Sequence, residues 1–125
     1  MQMKFYRCEE CGNLVVKIAD SGVPMMCCGR PMTELQPNTM DAAVEKHVPQ
    51  VTIHGDIVEV QVGSAIHPMI EAHYIQMICL QTDKGFQVRQ LIPNSEPTAK
   101  FALVGAKALA VYAFCNLHGL WVKEL

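Results

Sequence analysis

Leu109-Ala110-Val111-Tyr112-Ala113-Phe114-Cys115-Asn116-Leu117-His118-Gly119 is the stretch on which the reading of this chain turns. Leu109, Val111 and Ala113 share one parity and Tyr112 and Phe114 the other, and all are apolar, so the run reads as a strand packed on both faces. Cys115 ends it. A rigid strand fixes where that sulfur points, and the Cys-x-x-His turn closed by Gly119 can direct a sulfur and a nitrogen onto one ion.

Outward from this strand the pattern stays mostly period-two. Val58, Val60 and Val62 alternate with Glu59 and Gln61, residues 74–80 form a more continuous apolar run, and residues 86–91 alternate less cleanly. Gly55-Asp56, Asp83-Lys84-Gly85 and Pro93-Asn94-Ser95 mark turns. Short strands at this spacing predict a mainly β fold, a small antiparallel sandwich. Residues 97–109, where Ala and Lys are common, keep a helix alternative, weakened by Gly105 and by nearby β-branched and aromatic residues. There is no internal repeat, low-complexity tract or Gly-rich phosphate loop.

The 125 residues carry 10 Lys+Arg against 12 Asp+Glu, a formal charge of −2 with both signs scattered. Phosphate-backbone binding needs clustered cations, so nucleic acid is excluded as a general partner. Met1-Gln2-Met3-Lys4 lacks the apolar core of a signal peptide, and no apolar stretch approaches a membrane span, so the expected location is cytoplasmic, with no membrane partner. In that compartment the six cysteines are read first as thiolates.

Four of them, Cys8, Cys11, Cys27 and Cys28, fall in the first 28 residues, while all five histidines lie from His47 onward. This asymmetry predicts a metal-binding domain over 1–36, a linker over 37–40 and a second domain over 41–125. The first segment is too short and too poor in large apolar side chains to fold on a hydrophobic core, so a metal has to supply much of its folding free energy. Cys8-Glu9-Glu10-Cys11-Gly12 and Cys27-Cys28-Gly29 make an S₄ set, which spacing alone leaves open between structural zinc, a single iron, a [2Fe–2S] cluster and a thiol or disulfide role. The neighbours Cys27 and Cys28 must send their side chains in different directions to reach one ion. Glu9 and Glu10 read as a solvated face.

The second domain offers His47, His67 and His73 besides Cys115 and His118. Each histidine alone is an ordinary surface or hydrogen-bonded residue; it is the Cys115–His118 pair that makes the group notable. Five donors are one too many for a usual structural zinc site, whereas iron accepts imidazole with thiolate and an N₄S set leaves one octahedral position open. His54 reads as an exposed turn residue, Cys79 as a small buried hydrophobe, and the methionines, Met25, Met26 and Met69 included, as packing.

The joint occurrence of Glu45-Lys46-His47-Val48-Pro49, His67-Pro68-Met69, His73, Cys115-Asn116-Leu117-His118-Gly119 and the paired cysteines at 27 and 28 resembles the desulfoferrodoxin family, the two-iron superoxide reductases, over essentially the whole chain. The resemblance implies a desulforedoxin-like domain followed by a neelaredoxin-like catalytic domain with an immunoglobulin-like β-sandwich. It implies two mononuclear non-haem irons: Cys8, Cys11, Cys27 and Cys28 holding one as Fe(Cys)₄, and His47, His67, His73 and His118 with axial Cys115 holding the other. Lys46 then corresponds to the cation beside the open face, and Glu45 to a carboxylate that can cap the oxidised centre from a mobile loop. The implied activity is one-electron reduction of superoxide to hydrogen peroxide, fed by a rubredoxin-like donor, in a homodimer. A non-catalytic iron electron-transfer protein, a zinc-ribbon interaction module and a superoxide-dismutating enzyme are the rival readings.

Overall fold

The computed structural model describes residues 2–125, and the chain divides into two compact units, Met1–Gln36 and Pro37–Leu125.

The first unit holds five short strands: β1 (Phe5–Arg7), β2 (Leu14–Val16), β3 (Met26–Cys27), β4 (Arg30–Pro31) and β5 (Thr33–Glu34). They form an antiparallel sheet of order β2-β1-β5 and a separate β3-β4 hairpin. Among its described residues only Phe5 and Cys8 are buried. Burying one Phe contributes roughly 1.5–3 kcal/mol, far less than the entropy of ordering some thirty residues. The hairpin explains the adjacent cysteines. Its two turn residues, Cys28 and Gly29, both have positive φ, 52° and 77°, the requirement of a type I′ turn. Cys27 thus leaves the chain from a strand and Cys28 from a left-handed turn, and a left-handed non-glycine residue costs about 1–2 kcal/mol.

The second unit contains a single helical turn, α1 (Val44–His47), and seven strands: β6 (Pro49–His54), β7 (Ile57–Val62), β8 (Ile75–Thr82), β9 (Gly85–Gln90), β10 (Thr98–Ala102), β11 (Ala108–Cys115) and β12 (Gly119–Glu124). All pairings are antiparallel, in two sheets of order β10-β7-β6 and β12-β11-β8-β9. The sheets face each other across a core in which Val58, Val60 and Val62 of β7 and Phe101 of β10 meet Ile78 and Leu80 of β8 and Val111 and Ala113 of β11. This is the β-sandwich anticipated from alternation. β11 is buried on both faces, Tyr112 and Phe114 as fully as Val111 and Ala113, whereas the edge strand β9 leaves Val88 half exposed and carries Arg89, which discourages edge pairing.

The helix alternative at 97–109 is overturned. Thr98–Ala102 is a strand because Ala99 and Phe101 point into the core while Thr98, Lys100 and Ala102 alternate outward, and Gly105 then turns the chain at φ 65°. His54 ends β6 rather than lying in the turn, and its exposed ring pairs with Glu59 at 3.4 Å. The helical turn α1 has no side-chain cap at Ala43, so no start signal announces it. Its end is dictated by Pro49, which disfavours a helical Val48; that residue is extended (φ −72°, ψ 125°).

Candidate metal centres

Two groups of donors converge, each with its ligand atoms within 4.8 Å of one another: Cys8, Cys11, Cys27 and Cys28 in the first unit, and His47, His67, His73, Cys115 and His118 in the second.

In the cysteine group the chain folds back at Cys8, where Gly12 N donates to Cys8 O and Cys8 N to Asn13 O, both at 2.9 Å. Cys11 N points at Cys8 Sγ (3.5 Å), and Asn13 Nδ2 at Cys27 Sγ (3.5 Å). The backbone N–H of Cys11 is the main cause that lowers the Cys8 thiol to about 6. The neighbouring sulfurs of Cys11 and Cys8 push Cys28 up to about 12, and those of Cys8 and Cys11 raise Cys27. One thiolate therefore forms readily, and the full set ionises when a cation sits among the sulfurs. The 3.6 Å between Cys11 Sγ and Cys27 Sγ suits the edge of a tetrahedron with metal–sulfur bonds of about 2.3 Å.

The second group is assembled from four separate stretches. His47 closes α1, His67 follows the turn after β7, His73 sits in a tight turn where Ile70 and His73 exchange backbone hydrogen bonds (3.1 and 3.0 Å), and Cys115 and His118 flank the turn between β11 and β12. The four rings form a closed cycle. Successive pairs 47–67, 67–73, 73–118 and 118–47 have centroids 4.7, 4.7, 5.0 and 4.9 Å apart and planes 76–90° to each other, while His47 and His73 face each other at 6.5 Å. Cys115 has no exposed surface, and its Sγ lies 3.8 Å from His118 Nδ1.

The protonation pattern of this cycle fits a cation. His47 Nδ1–H donates to Ala43 O and His67 Nδ1–H to Pro68 O, each at 2.7 Å. A carbonyl only accepts, so in the neutral rings Nε2 is the bare nitrogen, and these two atoms lie 3.2 Å apart; His47 Nε2 is also 3.1 Å from His118 Nδ1. Burial opposes relief by protonation: desolvation is the leading cause that lowers His47 and His73 and takes His67 down to about 4. Among the described residues the buried His73 Nε2 has no hydrogen-bond partner. Imidazoles with converging nitrogens, two of them fixed by a carbonyl behind the ring, are what a metal ion requires.

Glu45 and Lys46 are exposed in α1. Around them Glu45 O accepts from Ala65 N (2.9 Å) and Ser64 Oγ (3.2 Å), and Gly63 N donates to Val48 O (3.2 Å). These bonds tie the segment expected as a mobile loop to the turn at Gly63–Ala65. The Lys46 charge acts on His47 and His73, lowering both.

Three contributors had no signal in the sequence. Trp121, fully buried, stacks on His47 (4.9 Å, 27°) and donates from Nε1 to His118 O (2.9 Å). Gly63 and Asn116 act through contacts described below. Cys79 is buried and its thiol raised to about 12 by desolvation, so it is an inert core group.

The family model described as Desulfoferrodoxin matches residues 39–124, and that described as Desulfoferrodoxin, N-terminal domain, matches residues 1–35. A desulfoferrodoxin of Syntrophotalea carbinolica is 43% identical over 98% of this chain and 97% of its own length. A superoxide reductase of Pyrococcus horikoshii is 37% identical, over 65% of this chain and 86% of its own. The crystal structure of the superoxide reductase from Treponema pallidum superposes with a TM-score of 0.84 at 38% identity, covering 99% of this chain and 100% of that one. The Cys₄ and His₄Cys groups match the two-iron pattern, and the chain belongs to the desulfoferrodoxin family of iron oxidoreductases.

Proposed function

We propose that this protein reduces superoxide to hydrogen peroxide at the centre held by His47, His67, His73, His118 and Cys115, and that an external rubredoxin-like donor replaces the electron. The balance is one superoxide, one electron and two protons giving one hydrogen peroxide. The observation that carries the reading is the closed cycle of four imidazoles beside the buried Cys115 sulfur, with the exposed Lys46 next to His47. The relatives named superoxide reductase support it.

Iron held by these five donors supplies the electron and a Lewis-acidic position for the anion. Lys46 attracts that anion: its exposed ammonium raises the local concentration of a negatively charged substrate and offsets charge gathered on oxygen. Water reaching the exposed Lys46 supplies both protons, with the Lys46 Nζ–H groups orienting it. The Nδ1–H bonds of His47 and His67 to Ala43 O and Pro68 O hold their rings in one tautomer throughout. Glu45 competes with product as an anion, its side chain swinging from a main chain that Ser64 and Ala65 hold in place. The same reading carries a homodimer and a cytoplasmic location; among the described residues no helix is long and apolar enough to cross a membrane.

Rapid mixing of the reduced, iron-loaded protein with superoxide tests the proposal. Peroxide should form one-to-one with superoxide consumed and without dioxygen. Dioxygen release would instead identify a dismutase, and iron that is not oxidised by superoxide would identify an electron carrier.

A further inference from the structure

The strand ladder that should relate Cys115 to the His73 segment breaks just where it is needed. β11 and β8 run in register from Val111 opposite Leu80 to Phe114 opposite Met77, and then Cys115 falls opposite Ile75, a one-residue slip at the end of the pair. Such an irregularity re-aims a side chain but leaves the next residues without a ladder to place them. The placement is made by Asn116. Its backbone N–H donates to Tyr74 O (3.2 Å), its side-chain Oδ1 accepts from Tyr74 N (2.9 Å), and its Nδ2 donates to Ala72 O (3.0 Å).

The two residues so gripped flank His73. His47 and His67 are oriented by hydrogen bonds from their own rings to carbonyls, whereas His73 is held through its backbone, by the turn with Ile70 and by the Asn116 grip on either side. Asn116 itself lies between Cys115 and His118 in the turn that carries two other donors. We infer that Asn116 is a positioning residue of the His₄Cys centre: its carboxamide locks the His73 segment to the Cys115–His118 turn, so that three of the five donors move as one body. Both ends of an amide are needed, an acceptor and a donor on two separate atoms; a carboxylate lacks the donor, and a hydroxyl offers both functions from a single atom.

The inference rests on the five donors holding one ion, and the two can fail separately. The test is Co(II) binding to the second centre of the full chain, followed by ligand-field and thiolate charge-transfer bands and by chelator competition, with the Cys₄ site as internal control. If the parent protein binds no Co(II) at the second centre, the metal reading itself fails. Asn116→Ala should weaken Co(II) about 10- to 100-fold there, the range for lost outer-shell support, shift its bands and leave the Cys₄ site unchanged. Asn116→Asp, which keeps the acceptor for Tyr74 N but sets a second oxygen against Ala72 O, should fail to rescue and also guards against a misfolded alanine variant. In a His73→Ala background, Asn116→Ala should cost markedly less, since its effect runs largely through His73. Affinity and bands unchanged within twofold, with a lowered Tm alone, would make Asn116 a fold residue and overturn the inference, as would full additivity with His73→Ala.

Discussion

Gly63 and Lys46 meet backbone to backbone. A methyl group on Gly63 would sit 2.8 Å from both the Cα and the carbonyl carbon of Lys46 and would also collide with the carbonyl oxygen of Ala65, and Gly63 is held at φ 84°. Gly63→Ala should therefore destabilise the protein by about 2–4 kcal/mol, combining left-handed strain with overpacking, as read from urea unfolding. If it folds, the displaced Lys46 should also lower the superoxide rate while iron content holds.

Lys46 should act at long range, through its charge. Lys46→Ala should slow the bimolecular reaction with superoxide by about tenfold at low salt and by much less at high salt, because a screened attraction has little left to lose. Lys46→Arg should keep both the rate and its salt dependence. Stopped-flow rates at several ionic strengths distinguish these outcomes; an equal loss for Ala and Arg at every salt concentration would refute a charge effect.

Removal of metal from the cysteine group should unfold the first unit. With Phe5 and Cys8 as its buried side chains among the described residues, nothing else there balances the chain entropy. Cys11→Ser, or a strong chelator, should abolish amide protection within Met1–Gln36 and spare that of β7, β8 and β11, as followed by hydrogen exchange.

Asp20 gives the first unit a pH dependence of its own. Hydrogen bonds from Lys17 Nζ (2.8 Å), the Gly22 amide (2.9 Å) and Lys4 Nζ (3.3 Å) hold its carboxyl far below the usual carboxylate range, with the Lys17 bond the largest cause. A depressed folded value means stability that is fully present above the unfolded value of about 3.9 and is lost as pH falls toward the folded one. Asp20→Asn should thus lower the unfolding midpoint at neutral pH, and its gap from the parent should narrow below about pH 4. A gap that stays constant down to pH 2 would rule this out.

Much of the sandwich was legible because alternation is a local signal. Val58, Val60 and Val62 report their face directly, and so do the two apolar faces of β11. At 97–109 the same logic competed with helix propensity, and burial of Ala99 and Phe101 decided it. α1 was illegible because its start has no capping side chain and its length is one turn. The donors could be named by residue type and by family pattern, but the ring cycle joins residues 6 to 71 positions apart and depends on tertiary closure. Asn116, Trp121 and Gly63 were invisible for the same reason: an amide gripping chain 42 and 44 residues away leaves no trace in spacing.

The two centres also differ in how their sulfurs meet water. Cys11 and Cys28 are exposed, whereas Cys115 has no accessible surface at all. Hydrogen peroxide, the product proposed for this chain, oxidises thiolates it can reach, so under turnover the exposed sulfurs should react first. Oxidative damage should therefore begin at Cys11 and Cys28 and reach the enclosed sulfur of Cys115 last.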